Sequence, residues 1–164
     1  MTQHSLLVVP FEGWHVDIID LRPEQKRLTQ WGIKTLGGPE AYGFSFVDHA
    51  VTLDGVPMCY TALWDGVPIF SAGLMYTSPH SAMAWALVGN PFLTSPSAVK
   101  REVVGILKSY IDRAPVHRVS AEVEVGFEKA MSFLERLGFE AEGVAKASGP
   151  YKEDYTIYGL VKEA

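Results

Sequence analysis

HRVSAEVEVGFEKAMSFLERLGF, residues 117–139, is the stretch of the sequence that decides the fold. Apolar and polar side chains alternate from Val119 to Val125, which predicts a β-strand with one buried face. After Gly126 the apolar residues fall at helical spacing, and Gly138 is placed as the glycine that commonly ends a helix. The stretch therefore predicts a strand, a tight turn and a short amphipathic helix, with Phe139 folded back onto the last helical turn.

Composition and charge restrict the class of protein. A chain of 164 residues with 48% hydrophobic residues is long enough for one core, so we expect a single domain over residues 1–164. The formal charge of −5 and the pI near 5.5 argue against general nucleic-acid binding. The single cysteine excludes an internal disulfide. With no signal peptide pattern and no apolar run near the ~18 residues that span a bilayer, we expect a soluble cytoplasmic protein.

The N-terminal part predicts two helices after a short apolar run. Leu6–Pro10 is either a first strand or a hydrophobic lead-in. The helices are expected over Trp14–Leu21 and from Pro23 to the Gly37-Gly38-Pro39 break, because proline suits a first turn and glycine a helix end. The apolar faces expected for them are Trp14, Ile18 and Leu21 in the first helix, and Leu28, Trp31 and Leu36 in the second.

The middle of the chain predicts an antiparallel meander. Two Asp-Gly pairs, at Asp54 and Asp65, are strong hairpin signals. The expected strands are Phe44–Leu53, Val56–Trp64, Val67–Thr77 and Ala82–Val88.

A long helix and the final strands complete the predicted order. Ser95 is expected as the helix N-cap with Pro96 at the first helical position. Its expected buried stripe is Val99, Val103, Ile106, Leu107, Tyr110 and Ile111. Glu142–Ala147 and Tyr155–Val161 are the last two strands. The strand–helix–strand step within 82–125 implies one parallel pair, made by a right-handed crossover, in an otherwise antiparallel sheet. The predicted fold class is therefore mixed α+β.

The sequences FLERLGFEAEG at Phe133–Gly143 and YTIYGLVKE at Tyr155–Glu163, in this order of elements, resemble the GNAT superfamily of N-acetyltransferases. The residues that match the family's helix-and-turn motif are Ala130, Glu135, Leu137, Gly138, Phe139, Glu142 and Gly143. The motif covers the last third of the chain, and the order of elements matches most of it. Abbreviated phage-encoded acetyltransferase-like proteins look most similar. The resemblance implies a twisted, mostly antiparallel sheet with helices on both faces, and transfer of an acetyl group from acetyl-CoA to an amine.

The resemblance also implies where acetyl-CoA would bind. In the family the pantetheine arm pairs with the edge of a central strand, and the pyrophosphate lies on backbone amides at the following helix N-terminus, where the dipole favours an anion. The corresponding positions here are Ala86, Leu87 and Val88 for the arm, and Gly89, Ser95, Ser97, Lys100 and Arg101 for the pyrophosphate. The family's paired glycines are missing from this loop, and its two prolines, Pro91 and Pro96, each lack an amide donor. Lys108, Arg113 and Arg118 add positive charge nearby in the sequence, which is also typical of a solvated face.

The catalytic residues that the family commonly uses are replaced. Its tyrosine acid corresponds to Leu134 and its asparagine to Phe127, and neither replacement can transfer a proton. Glu122 and Glu124 are the candidates for a general base that takes a proton from the amine. The same two residues are also what the polar face of a half-buried strand would carry.

Two functions remain open at this point. One is an N-acetyltransferase that acts on a small-molecule or protein amine. The other is a non-catalytic protein of the same fold, a phage virion or assembly component that binds other virion or assembly proteins. Both functions are compatible with an oligomer. Trp14, Trp64 and Phe92 are candidate exposed contacts for the second function. No cysteine and histidine spacing typical of a zinc site is present, and Cys59 lacks a motif partner that would make it a nucleophile.

Overall fold

The computed structural model describes residues 5–162, apart from the side chains of Glu24 and Glu40. Over this range the chain forms six helices and nine strands. The helices are α1 His15–Ile18, α2 Pro23–Leu36, α3 Pro39–Asp48, α4 Asn90–Leu93, α5 Ser97–Arg113 and α6 Glu128–Arg136. The strands are β1 Leu6–Pro10, β2 Thr52–Leu53, β3 Val56–Pro57, β4 Cys59–Trp64, β5 Val67–Ser78, β6 Ser81–Val88, β7 Arg118–Glu124, β8 Glu140–Ala145 and β9 Tyr155–Val161.

Seven of the strands form one mixed sheet in the order β1-β4-β5-β6-β7-β9-β8. The pairs β1–β4, β4–β5, β7–β9 and β8–β9 are antiparallel. β6 and β7 are parallel, with Ser81–Met83 opposite Arg118–Ser120. The predicted mixed class, with one parallel pair in a mostly antiparallel sheet, is confirmed.

The chain forms two compact units. Unit 1 comprises residues 5–75 and 85–114, and unit 2 comprises residues 76–84 and 115–162. The expectation of a single domain over residues 1–164 stays a prediction. In the part of the chain that the structure describes, no helix is both long and apolar enough to cross a bilayer.

The helices of unit 1 differ from the prediction. The first covers only His15–Ile18, and its buried residues are His15 and Val16, whereas Trp14 and Ile18 are exposed. The second has the predicted bounds and ends at Gly37 in the left-handed region, but the predicted stripe of Leu28, Trp31 and Leu36 is exposed. This helix instead brings the small residue Gly32 against the ring of Tyr42 in α3, so close that a Cβ on Gly32 would lie 2.7 Å from Tyr42 Cδ2.

The predicted strand over Phe44–Leu53 is wrong for most of its length. Residues 39–48 form α3, and only Thr52 and Leu53 are extended. Helical spacing places Tyr42 and Phe46 one turn apart with their rings 5.1 Å from each other, and Phe46 packs 4.3 Å from the ring of Trp85. Aromatic packing of this kind outweighs the strand propensity of the individual residues.

The hairpin turns and the closing β–α unit follow the prediction. Asp54, Gly55, Asp65 and Gly66 all have positive φ, as a type I′ turn requires. In unit 2, β7 alternates buried and exposed residues, Gly138 has φ +101°, and the amide of Phe139 donates to the Leu134 carbonyl oxygen at 3.1 Å. Phe139 is buried, so the predicted fold-back onto the last turn is confirmed.

Candidate functional site

The start of α5 in unit 1 is an exposed helix N-terminus that no side chain caps. Pro96 is its N-cap residue, Ser97 is the first helical residue and is exposed, and no acidic side chain lies in the first turn. Ser95, the predicted N-cap, is instead buried, and its hydroxyl donates to the Phe92 carbonyl oxygen at 2.7 Å. The short helix α4, which the sequence did not predict, turns Ser95 inward. The amides at the start of α5 therefore face solvent without a serine cap.

Of the five basic residues considered for phosphate binding, three interact with other side chains, and only Lys100 and Arg101 are available for a phosphate. Lys108 forms an ion pair with Asp112 at 3.3 Å, and the Arg113 Nε donates to Ser109 at 3.1 Å. Among residues 5–162, Lys100 and Arg101 form no ion pair, and both lie within the first five residues of α5. Positive charge and free amides at one helix end are what an anion such as a phosphate prefers.

The fifth basic residue, Arg118, belongs to unit 2 and is engaged. Its guanidinium forms a bidentate pair with the Glu142 carboxylate, which holds the pKa of that carboxyl below its ordinary value. Gly159 lies directly beneath, where a Cβ would overlap the Glu142 carboxylate. The Glu142 that carries part of the family resemblance therefore has a structural partner.

The Gln25 side chain hydrogen-bonds to the edge of β6, a contact that no sequence pattern predicts. The Gln25 Nε2 donates to the Ala86 carbonyl oxygen at 2.5 Å, and its Oε1 accepts from the Val88 amide at 2.6 Å. Leu87, between them, is buried in the apolar core of unit 1. Gly89 continues the strand so close to β5 that a Cβ would lie 2.8 Å from the Ile69 carbonyl oxygen. No local signal could reveal Gln25, because 61 residues separate it from Ala86.

Unit 2 carries the candidate general bases. Glu122 and Glu124 are exposed on the polar face of β7, opposite Ile157 and Tyr155 of β9. Leu134, at the position of the family's tyrosine, is buried beneath α6. Tyr158 of β9 is fully buried, and its hydroxyl lacks a hydrogen-bond partner within the described residues. Burial, with Glu135 nearby, raises the pKa of this phenol, so it stays protonated at neutral pH.

A buried polar chain runs through unit 1. The Ser71 and Thr61 hydroxyls lie 2.8 Å apart, and Thr61 Oγ1 lies 2.8 Å from His15 Nδ1. The Glu12 amide donates to the same nitrogen at 3.0 Å. Because Nδ1 accepts from that amide, the imidazole proton resides on Nε2, which faces the Glu12 carboxylate at 3.8 Å. Burial lowers the pKa of His15, only partly offset by Glu12.

Cys59 is a structural residue of β4. Its thiol is buried, and burial raises its pKa to about 11. Since the thiolate is the nucleophile, this cysteine is inert at neutral pH, in agreement with the sequence analysis.

The three aromatic residues proposed as exposed contacts have different environments. The exposed fraction of Trp14 is 50%, so this prediction is confirmed. Trp64 is half-buried at the end of β4. Phe92 is buried, with its ring 4.8 Å from that of Phe70, so its predicted exposure is wrong. The turn of α4 points this ring into the core.

Comparison with known proteins identifies the fold. No protein-family model and no curated protein sequence matches the chain. Among solved structures, a GNAT-family acetyltransferase from Bacillus anthracis is similar at TM-score 0.64 and 12% identity, covering 95% of this chain and 94% of that one. A GNAT-family acetyltransferase from Streptococcus pneumoniae is similar at TM-score 0.63 and 12% identity, covering 97% and 100%.

A third similar structure contains a cofactor. It is yncA from Salmonella typhimurium, described as a candidate acetyltransferase with its cofactor acetyl-CoA. Its TM-score is 0.65 at 12% identity, and the likeness covers 98% of this chain and 94% of that one. At such identities the comparisons concern the fold alone. The chain has the GNAT fold, and its chemistry has to be argued from its own residues.

Proposed function

We propose that this protein is an acyl-CoA-dependent N-acyltransferase, with acetyl-CoA as donor and an amine as acceptor. The observation that carries the proposal is that unit 1 has an uncapped helix N-terminus beside basic residues and a strand edge that already holds an amide group. The start of α5 offers free amides with Lys100 and Arg101 beside them. The edge of β6 offers the Ala86 carbonyl and the Val88 amide, which already hold a carboxamide.

These residues suit two parts of a CoA molecule, the pyrophosphate and the pantetheine arm. The start of α5, with Ser97, would take the pyrophosphate, since orphan amides and a helix dipole favour an anion. Ala86 and Val88 are spaced to exchange two hydrogen bonds with one amide, and the pantetheine arm is built from amides. Ser95 is excluded from direct phosphate binding because its hydroxyl is committed to Phe92. Gly89 and Leu87 support the strand through the core.

Bound acyl-CoA would supply an activated thioester. The amine nitrogen bonds to the thioester carbonyl carbon, the carbon–sulfur bond breaks, and the amine gives up one proton while the sulfur leaves as the thiol. Glu122 and Glu124 are the proposed acceptors of that proton, since both are exposed carboxylates on one strand. Leu134 and Phe127 cannot supply a proton in place of the family's acid, so the thiolate would take its proton from solvent.

Calorimetric titration with acetyl-CoA and with CoA tests binding. We expect saturable heat, and about tenfold weaker binding in Lys100→Ala and Arg101→Ala, because each removes one charge from the phosphate position. Lys108→Ala is the matched control on the same helix, since its charge is paired with Asp112. Absence of heat at high micromolar ligand rejects the proposed function.

Acetyl transfer to a panel of amines tests the chemistry. We expect Glu122→Gln or Glu124→Gln to lower kcat by about 100-fold or more, as removal of a general base does. Glu128→Gln, on the neighbouring helix α6, is the control and should retain activity. Equal activity in all three variants would show that neither strand carboxylate acts as the base.

A second candidate function is favoured by the exposed aromatic residues of unit 1. Trp14, Trp31 and Phe44 have exposed fractions of 50%, 44% and 46% on or beside three successive helices. Large exposed aromatic side chains are enriched at protein interfaces. The alternative is a non-catalytic phage virion or assembly protein that keeps the fold and binds other proteins. Size-exclusion chromatography with light scattering, and pull-down with the products of neighbouring genes, test it. A clean monomer with measurable acetyl transfer rejects it.

A further inference from the structure

Gln25 imitates the backbone of a neighbouring strand. The residue lies in the first turn of α2, and its half-buried side chain is directed at β6. The carboxamide donates to Ala86 and accepts from Val88. A carbonyl and an amide two residues apart on one strand are the groups that a neighbouring strand uses in a β-ladder. One side chain thus fulfils the hydrogen-bonding role of a peptide group.

The groups that Gln25 contacts lie on the side of β6 away from β5. Backbone groups of successive residues point to opposite sides of a strand. The Gly89 amide donates to the Ile69 carbonyl oxygen of β5 at 2.8 Å. Val88 and Ala86 lie one and three residues before Gly89. Their backbone amide and carbonyl groups therefore point away from β5. Such an edge is the natural place for an extended, amide-bearing ligand.

The segment that covers this edge has a fixed part and a movable part. The fixed part is backbone: the Arg22 amide donates to the Val88 carbonyl oxygen at 3.1 Å, and Leu21 forms a bridge with Gly89. The movable part is the Gln25 side chain, which can rotate about its own bonds without unwinding α2. A ligand can displace the carboxamide and leave Leu21 and Arg22 in place.

We propose that Gln25 is a displaceable latch that competes with a pantetheine amide for Ala86 and Val88. This inference rests on the proposed acyl-CoA function. In the free protein the latch keeps both backbone groups hydrogen-bonded, which a half-buried strand edge requires. On binding, an amide of the pantetheine arm takes the place of the Gln25 carboxamide at Ala86 and Val88. The latch therefore lowers the affinity for ligands that carry the arm and leaves nucleotide binding unchanged.

Binding titrations of Gln25→Ala test the latch. We expect CoA to bind about tenfold more tightly than to the wild type, because two ordinary hydrogen bonds no longer have to be broken. Adenosine 3′,5′-bisphosphate, which lacks the arm, should bind both proteins equally. Gln30→Ala is the matched control, since Gln30 is an exposed glutamine on the same helix. Gln25→Met keeps the side-chain length without the hydrogen bonds, and serves if Gln25→Ala does not fold.

Hydrogen exchange at the Val88 amide gives a second readout. It should be slow in the free wild type, faster in free Gln25→Ala, and slow again when that variant is saturated with CoA. Wild-type binding of CoA with unchanged or weaker binding by the Gln25 variants overturns the latch and leaves the acyl-CoA function standing. Binding of CoA by the Gln25 variants but not by the wild type supports both the latch and the acyl-CoA function. Absence of CoA binding in every protein rejects the acyl-CoA function, and the latch with it.

Discussion

Each of the two units is stabilised internally by a different kind of contact. In unit 2, β7, β9 and β8 pair as antiparallel neighbours, with one register shift between Ala141 and Gly143, and α6 ends at a glycine followed by a phenylalanine that folds back onto it. In unit 1, the decisive contacts join residues far apart in the sequence: Gln25 with β6, His15 with Thr61, and the backbone of Gly13 with that of Gly43. Periodic patterns encode the first kind of contact, whereas the second depends on single residues.

This difference has a consequence for mutational sensitivity. Unit 2 should respond to loss of apolar volume, because its elements are joined by burial. Unit 1 should also respond to changes that leave apolar volume almost untouched, at a glycine or a hydroxyl. The following predictions compare the two responses, from the largest expected effect to the smallest.

Gly43→Ala should have the largest effect. A Cβ at this position would overlap the Gly13 carbonyl oxygen and lie 2.6 Å from Gly13 Cα, so the backbone between α1 and α3 must shift. We expect a loss of about 4 kcal/mol in the free energy of unfolding, measured by urea denaturation. Gly105→Ala is the control: its Cβ meets nothing within 4 Å in helix α5, so stability should rise by up to about 1 kcal/mol. Similar stabilities of the two variants would contradict the close approach.

Leu134→Ala tests the apolar response of unit 2. Leu134 is buried under the last turn of α6, and its truncation should cost about 2–4 kcal/mol through lost burial and a residual cavity. Leu134→Met nearly conserves the volume and should cost less than about 1.5 kcal/mol. The same urea titrations measure both. Equal losses would mean that this site does not depend on packed volume.

Thr61→Val tests the buried polar chain of unit 1. The substitution conserves shape but removes the hydroxyl that contacts both His15 and Ser71. We expect a loss of about 1–3 kcal/mol, the cost of leaving buried polar groups unsatisfied. Thr77→Val, at an exposed position of β5, should change stability by less than about 0.5 kcal/mol. A neutral Thr61→Val would show that the chain contributes nothing to stability.

The smallest effect concerns pH and the same histidine. Burial lowers the pKa of His15 in the folded protein, so its contribution to stability is complete above the unfolded pKa of about 6.5. That contribution falls as pH decreases through 6.5 toward the folded pKa, because the unfolded chain binds the proton first. His15→Asn keeps an acceptor and cannot titrate. Urea midpoints at pH 7.5 and 5.0 should therefore fall further for the wild type than for this variant.

The sequence was sufficient for most of the sheet and for unit 2. Asp-Gly pairs predicted both tight turns, alternation predicted β7, and Gly138 with Phe139 predicted the end of α6. These predictions were correct because the physical cause of each feature, a positive φ or burial of one face, lies within a few residues of the sequence signal.

The errors arose where a distant contact decides local structure. Phe44 and its neighbours have strand propensity, yet Phe46 is drawn into a helix that packs on Trp85, about 40 positions later in the chain. Trp31 and Leu36 were expected on the apolar face of α2 and are exposed, because α2 packs through Gly32 instead. The cofactor positions were taken from a resemblance. Of these, Ser95 instead hydrogen-bonds to Phe92 within the protein. Gln25 was not among them, because its contact with β6 has no local pattern in the sequence.

The inert thiol of Cys59 makes the protein a ready host for site-specific labelling. The chain has no other cysteine, and this one combines an exposed fraction of 3% with a pKa of about 11. A cysteine introduced at exposed Ser97 or Gln30 would react with a maleimide dye at neutral pH, while Cys59 stays unmodified. Fluorescence at the start of α5, from Ser97, and on α2, from Gln30, could then be recorded without first removing a native residue from the core.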